Sequence, residues 1–220
     1  VSLCLSVLTD FCIHYSSCVQ HILSADSKLN VLNFVVEKLL PLQIKTQFQG
    51  IEISKTGPNP SIIAEKSSYF LVAVCVCSSE ARHRIIKHIG GILRSLPSHC
   101  AAEYKPIEVT KLQAIVDFVH CLLSSSHNMN GLKVGNIESK YPLWNNDMLK
   151  IMGDVKMVEG LVCAVNNIEL HNPGATRVLN TLLKPLNILL ENLNRKAVST
   201  YRQTVKGSND KKGSQPTPGE

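Results

Sequence analysis

Aromatic residues are scarce in this chain: one Trp, five Tyr and five Phe among 220 residues. Charge is thin as well, at 18% Asp, Glu, Lys and Arg. So few aromatics argue against a surface built to stack single-stranded nucleic acid. The low charge, beside 44% hydrophobic residues, argues against a chain disordered throughout. A mean hydropathy of +0.06 fits a soluble, core-forming chain. Long apolar runs are also missing. The most apolar-looking stretch, Val1 to Leu23, contains Asp10, His14, Gln20 and His21, which a spanning helix would bury in hydrocarbon. Tyr69 to Cys77 is too short to span and reads as a buried core element. Neither end carries a lipidation or retention signal.

The signatures of common chemistries are absent too. There is no phosphate-binding G-x-x-x-x-G-K-[ST], no dinucleotide G-x-G-x-x-G, no H-E-x-x-H and no G-x-S-x-G. Gly90-Gly91 alone makes no phosphate cradle, and no cofactor is implied. The chain opens on Val1 with no basic segment before an apolar one, so it is expected to be a piece of a longer protein.

Charge is unevenly placed. The net charge is +6, of which Arg195–Glu220 supplies +4 through six Lys/Arg and two Asp/Glu. Residues 1–194 are close to neutral, which weakens a nucleic-acid reading. The eight cysteines sit mostly within apolar periodic runs, as small buried hydrophobes do. A chain of this length has no need of disulfide staples, so reduced thiols in a cytoplasmic or nuclear protein are expected.

Strand patterns are rare and helical periodicity is frequent. One helix is expected over Ser2–Leu23, and a second from an Asp26 or Ser27 cap to Leu40, ended by Pro41. A third runs from Ser61 to Cys77, and a fourth, capped by Ser78 or Ser79, from Glu80 to Leu96. Pro97 closes that one, and Gly90-Gly91 lowers its propensity by roughly 1 kcal/mol per Gly. Val109 to Leu123 is strongly amphipathic. Asn146 or Asp147 starts a helix that Gly153-Asp154 breaks, and Val155 to Ile168 carries the next. Asn172-Pro173 is a sharp start signal for a last helix with one apolar stripe, Ala175 to Leu193, kinked near Pro185. The expectation is an all-α fold of about eight helices in an armadillo- or HEAT-like solenoid over residues 1–205, with a disordered basic tail over 206–220.

Candidate chemistry is sparse. Cys75-x-Cys77 is one residue too close for the usual zinc pair and has no second pair, so packed thiols are expected and no metal. Cys18 with His21, and His14 four residues before Cys18, share helical spacing, but no orienting group accompanies them. His120-Cys121 are adjacent and diverge. Asp147 and Asp154 flank one helical segment and read as caps. Arg82, His83, Arg84, Lys87 and His88 form a basic segment, with Arg84, Lys87 and His88 on one face suited to an acidic partner or phosphates. The residues by themselves describe a helical interaction scaffold, with no catalytic residue assigned.

The stretch Asn146–Leu190 adds more. Its Asp147, Met152, Asp154, Met157-Val158, Glu169-Leu170, Asn172-Pro173 and Leu183-Lys184-Pro185-Leu186 follow the order found in the giant HECT-type E3 ubiquitin ligases, the plant members and their large animal relative. Ser67–Leu96 resembles the segment upstream in the same proteins, a Y-L-V-A-like helix followed by a basic R-x-R-x-I-I-like one. The resemblance covers about residues 60–195. It implies a helical solenoid between a ubiquitin-associated domain and the HECT domain, acting in protein ubiquitination and proteasomal degradation. Partners would be protein substrates and, through the HECT domain, E2-bound ubiquitin. Nothing here resembles the HECT domain, so no cysteine inherits its thioester role. The alternative is a non-enzymatic helical-repeat adaptor unrelated to ubiquitin.

Overall fold

An unbroken apolar run sets the centre of the molecule. Phe70, Leu71, Val72, Ala73, Val74, Cys75 and Val76 are each at most 2% exposed, so this stretch of helix is buried on every side. The computed structural model describes residues 1–42, 60–95, 106–124, 144–168 and 175–209, and every regular element among them is a helix. In chain order these are α1 (Ser2–His14), α2 (Ser16–Leu29), α3 (Val31–Phe34, continued by a π-helical turn Val35–Leu39), α4 (Pro60–Cys77) and α5 (Ser79–Arg94). Then come α6 (Pro106–Ser124), α7 (Trp144–Asp154), α8 (Met157–Asn166) and α9 (Ala175–Asn209). The all-α expectation holds. Among the described residues no helix is long and apolar enough to cross a membrane.

Helix α1 lies along α4, and the π-helical turn packs on the same helix. Helix α5 follows α4, α7 and α8 pack on α5, and α9 packs on α8 and, most extensively, on α6. This succession of contacts fits a helical solenoid. The last helix therefore packs more extensively on α6 than on α8, the helix that precedes it.

The N-terminal region departs from expectation. The single helix Ser2–Leu23 is two helices, broken at Tyr15, whose backbone is extended (φ −128, ψ 102). The break lets α1 bury Leu5, Thr9 and Cys12 while α2 turns to bury Val19 and Leu23. Because α2 runs on to Leu29, Asp26 lies in its last turn and does not begin a helix. It caps the next one instead: the Leu32 N–H donates to Asp26 Oδ1 at 2.7 Å. Between them Asn30 adopts a left-handed conformation (φ 50), which Asn tolerates better than most residues.

Other local signals hold. Ser78 is the N-cap of α5, its Oγ accepting the Ala81 N–H at 3.3 Å. Helix α7 ends at Asp154, and the turn to α8 passes through Lys156 in a left-handed conformation (φ 55). Gly90 and Gly160 allow close approach. A Cβ on Gly90 would lie 3.3 Å from Val155 Cγ2, and one on Gly160 would lie 3.1 Å from Leu93 Cβ. The backbone of α8 is thereby brought onto α5.

Helix α9 buries Val178, Leu182 and Leu189 but leaves Leu183, Leu190 and Leu193 about half exposed (49%, 48% and 51%). The apolar stripe read as one buried face is thus split between core and surface. Pro185 lies inside the helix. The helix includes residues 206–209, while residues 210–220 lie outside the described ones. So do the expected Pro97 stop, the Asn172-Pro173 start and Cys100.

Candidate functional site

The basic segment of α5 is where charge concentrates, and Arg82, Arg84 and His88 within it meet carboxylates of other elements. Arg82 is 4% exposed. Its Nε donates to the Cys75 carbonyl at 2.9 Å, and its Nη1 donates to Asp147 Oδ2 at 2.8 Å. Ser79 Oγ donates to the same carboxylate oxygen at 2.8 Å. One guanidinium therefore ties the end of α4 to the first turn of α7. Burial pulls the Arg82 pKa below its ordinary value, against the opposing charge of Asp147. An arginine retains its charge under such a pull and is suited to a buried pair.

Arg84 is shared between two carboxylates. Its Nη2 meets Glu80 Oε1 at 2.6 Å, one helical turn back, and its Nη1 lies 3.5 Å from Asp26 Oδ2. The same Nη1 donates to the Leu23 carbonyl at 3.4 Å, fastening α5 to the end of α2. His88 Nε2 lies 3.0 Å from Glu37 Oε1, an ion pair only with the imidazole protonated and without hydrogen-bond alignment. Glu37 Oε2 accepts from Lys111 Nζ at 3.1 Å. Burial raises the Glu37 pKa, but the Lys111 hydrogen bond and the Lys111 and His88 charges outweigh it and hold the carboxyl below its usual range. Farther along, Arg94 Nη1 donates to the Val155 carbonyl at 2.7 Å.

Of the expected partner-binding face, then, Arg84 and His88 are paired within the fold, and Lys87 projects into solvent. His83 is exposed beside it. Next to this face lies an open cleft of about 490 Å³ lined by Ser79, His83, Arg84, Asp147, Lys150 and Asp154. A polar cleft with charges of both signs suits side chains of a protein partner.

The cysteine candidates are placed differently from expectation. His14 and Cys18 sit on separate helices, since the chain breaks at Tyr15, so their spacing no longer puts them on one face. Cys18 is half-buried on α2 and His21 is exposed. The thiol close to Cys18 is Cys12, whose pKa burial pushes far up, with Cys18 and Cys77 adding to the rise. Cys75 is buried and pushed up to about 12 by desolvation, with Arg82 opposing and Cys77 adding. Thiols held protonated in this way are poor nucleophiles. His120 meets Ser124 Oγ at 3.2 Å, and burial lowers its pKa, with Lys184 adding to the fall. Among the described residues the cysteines are free thiols, and no group of three His, Cys, Asp or Glu is placed to hold a metal ion.

Sequence reading missed the links of Arg82 and of Glu37. Arg82 stands in the run Ser78-Ser79-Glu80-Ala81-Arg82-His83-Arg84, which looks solvated along its whole length. The one available signal was the apolar phase: Arg82 falls three and four residues before the buried Ile85 and Ile86.

No protein-family model and no solved structure matches the chain. Two curated proteins of Arabidopsis thaliana do. One is the E3 ubiquitin-protein ligase UPL1, 26% identical over 235 residues, covering 96% of this chain and 6% of the ligase. The other is the E3 ubiquitin-protein ligase UPL2, 28% identical over 160 residues, covering 70% of this chain and 4% of the ligase. The chain therefore spans a small fraction of the length of the relatives it matches. Both matches support a relation to the family of these ligases.

Proposed function

We propose that the chain is a non-catalytic scaffold segment of a HECT-type E3 ubiquitin ligase, from the helical region between the ubiquitin-associated and HECT domains. The observation that carries this reading is the match to an E3 ubiquitin-protein ligase along 96% of the chain. The succession of helix contacts adds support, since a stack of this kind extends a surface along its length. In this reading the helices form an armadillo- or HEAT-like stack that positions protein substrates for a catalytic domain elsewhere. E2-bound ubiquitin is engaged by that domain and not by this segment. The protein works in the cytoplasm or nucleus, where its thiols stay reduced. On α5, Lys87 and His83 offer solvent-facing positive and titratable groups, while Arg84 and His88 primarily hold the fold.

The test separates scaffold from catalyst. The purified chain, incubated with ubiquitin-charged E2, is expected to form no ubiquitin thioester and to discharge no E2. Deleting the matched stretch from the Arabidopsis ligase is expected to lower ubiquitination of substrate while leaving thioester formation on the ligase intact. A thioester on this chain contradicts the reading. So does a deletion that leaves substrate ubiquitination unchanged.

A further inference from the structure

The contact of α9 on α6 is the largest that the last helix makes, and it is not apolar throughout. Along one edge the two helices leave an open cleft of about 590 Å³, lined by Gln113, Asp117, Arg177, Asn180, Thr181 and Lys184. Gln113 and Asp117 stand one turn apart on α6, while Arg177, Thr181 and Lys184 follow at helical spacing on α9. One wall offers a carboxylate and an amide, and the other offers cations.

Two features of this cleft go unused within the fold. Gln113 is 4% exposed, yet its Oε1 has no hydrogen-bond donor. Such groups are rare in native proteins and cost stability. The fold gains nothing by keeping one, since an apolar side chain of similar size carries no such cost. The charges across the cleft do not pair either. Burial raises the Asp117 pKa, and the charges of Lys184, His120 and Arg177 pull against that rise, so these cations lie near it. Still, among the described residues Asp117 and Lys184 form no ion pair or hydrogen bond. Thr181 differs: its Oγ1 is satisfied, donating to the Arg177 carbonyl at 3.0 Å.

An occupant that meets all of these groups brings a cation to α6, an anion to α9 and a polar hydrogen to Gln113. An extended peptide does so with two neighbouring residues. Its successive side chains point to opposite sides, so an Arg or Lys reaches Asp117 while the adjoining Asp or Glu reaches Lys184 and Arg177. Its main chain then lies between the helices with N–H groups to donate. The last torsion of Gln is soft, and a turn of the amide presents Oε1 to them. A small ion of either sign is attracted by one wall and repelled by the other.

We propose that the cleft between α6 and α9 binds an extended segment of a partner protein in which a basic and an acidic residue are neighbours. Asp117 takes the basic side chain, Lys184 with Arg177 takes the acidic one, and Gln113 accepts a main-chain N–H. This goes beyond the scaffold reading and stands without it, because it rests on the cleft and not on the match to the ligases.

The isotope-labelled full chain is titrated with a capped peptide of about eight residues, with Arg-Glu at its centre and Ala, Gly and Ser elsewhere, and nuclear magnetic resonance follows the amide signals. Saturable shifts are expected at the Gln113 side-chain amide and at Asn180 and Lys184. Analogues with Gln in place of the Arg, or of the Glu, are each expected to bind about fivefold or more weakly. Asp117→Asn is expected to erase the preference for Arg over Gln, and Lys184→Gln the preference for Glu over Gln, each leaving the other preference in place. Gln113→Met is expected to melt no lower than the parent and to bind about threefold or more weakly. Should one of these variants fold poorly, the remaining ones and the peptide series still decide. Shifts that do not saturate or that lie outside the cleft overturn the proposal. So does equal binding of all the peptides, or tighter binding of an analogue that keeps only one charge. A Gln113→Met chain that melts far below the parent also overturns it, because the amide then serves the fold.

Discussion

Helices α4 and α9 are both rich in apolar residues and use them in opposite ways. In α4 the apolar residues run consecutively, from Phe70 to Val76, and every one is buried because helices approach from all sides. In α9 they recur at helical spacing, yet only Val178, Leu182 and Leu189 reach the core while Leu183, Leu190 and Leu193 stay half exposed. A continuous run marks a hub of packing. A stripe wider than its neighbours can cover leaves apolar side chains at the surface. Between the two lies α5, whose charges fasten the hub to the later helices.

The comparison breaks most readily at α4. Leu71 is fully buried, so Leu71→Ala is expected to lose about 2–5 kcal/mol in a denaturant melt, whereas Leu190→Ala loses only a few tenths. Similar losses at the two positions would mean that α9 is as enclosed as α4. Next in size is the fastening. Arg82→Ala removes the hydrogen bonds to the Cys75 carbonyl and Asp147 together, with an expected loss of about 1.5–3 kcal/mol. Lys87→Ala on the same helix is exposed and is expected to stay within about 0.5 kcal/mol of the parent.

Much of this contrast was legible in the sequence, and the rest was hidden for identifiable reasons. The helices announced themselves through period, and Ser78 and Gly153-Asp154 marked a start and a stop as read. Tyr15 carries no Gly or Pro to signal a break; the packing of α1 on α4 imposes it. Asp26 was recognised as a capping residue, but a carboxylate in the last turn of one helix can serve the next, and sequence distance does not say which. Arg82 was grouped with its solvated neighbours because charge type does not disclose burial. Arg84 and His88 were placed on one face as read, but their partners Asp26 and Glu37 come from elements 51 to 58 residues earlier, beyond the reach of local patterns.

Two smaller effects sharpen the account. Gly160→Ala puts a Cβ 3.1 Å from Leu93 Cβ and is expected to destabilise by about 1–3 kcal/mol. Gly91→Ala meets nothing within 4 Å and is expected to stabilise by about 0.4–1 kcal/mol. Opposite signs at two helical glycines would confirm the close approach of α5 and α8 in thermal melts. The smallest effect is in pH. The folded Glu37 carboxyl is held below its unfolded value, so its contribution is complete above the unfolded pKa and is lost as pH falls through the folded one. The melting difference between the parent and Glu37→Gln is therefore expected to shrink as pH falls below the usual carboxylate range.

The division of α9 between core and surface is the claim on which the packing of the last helix depends, and two adjacent residues test it. Leu182 is fully buried and Leu183 is 49% exposed. In thermal melts of the full chain, Leu182→Asp is expected to abolish cooperative unfolding or aggregate the protein, while Leu183→Asp leaves the melting temperature within a few degrees of the parent. The reverse ranking, or equal damage from both, would contradict the account.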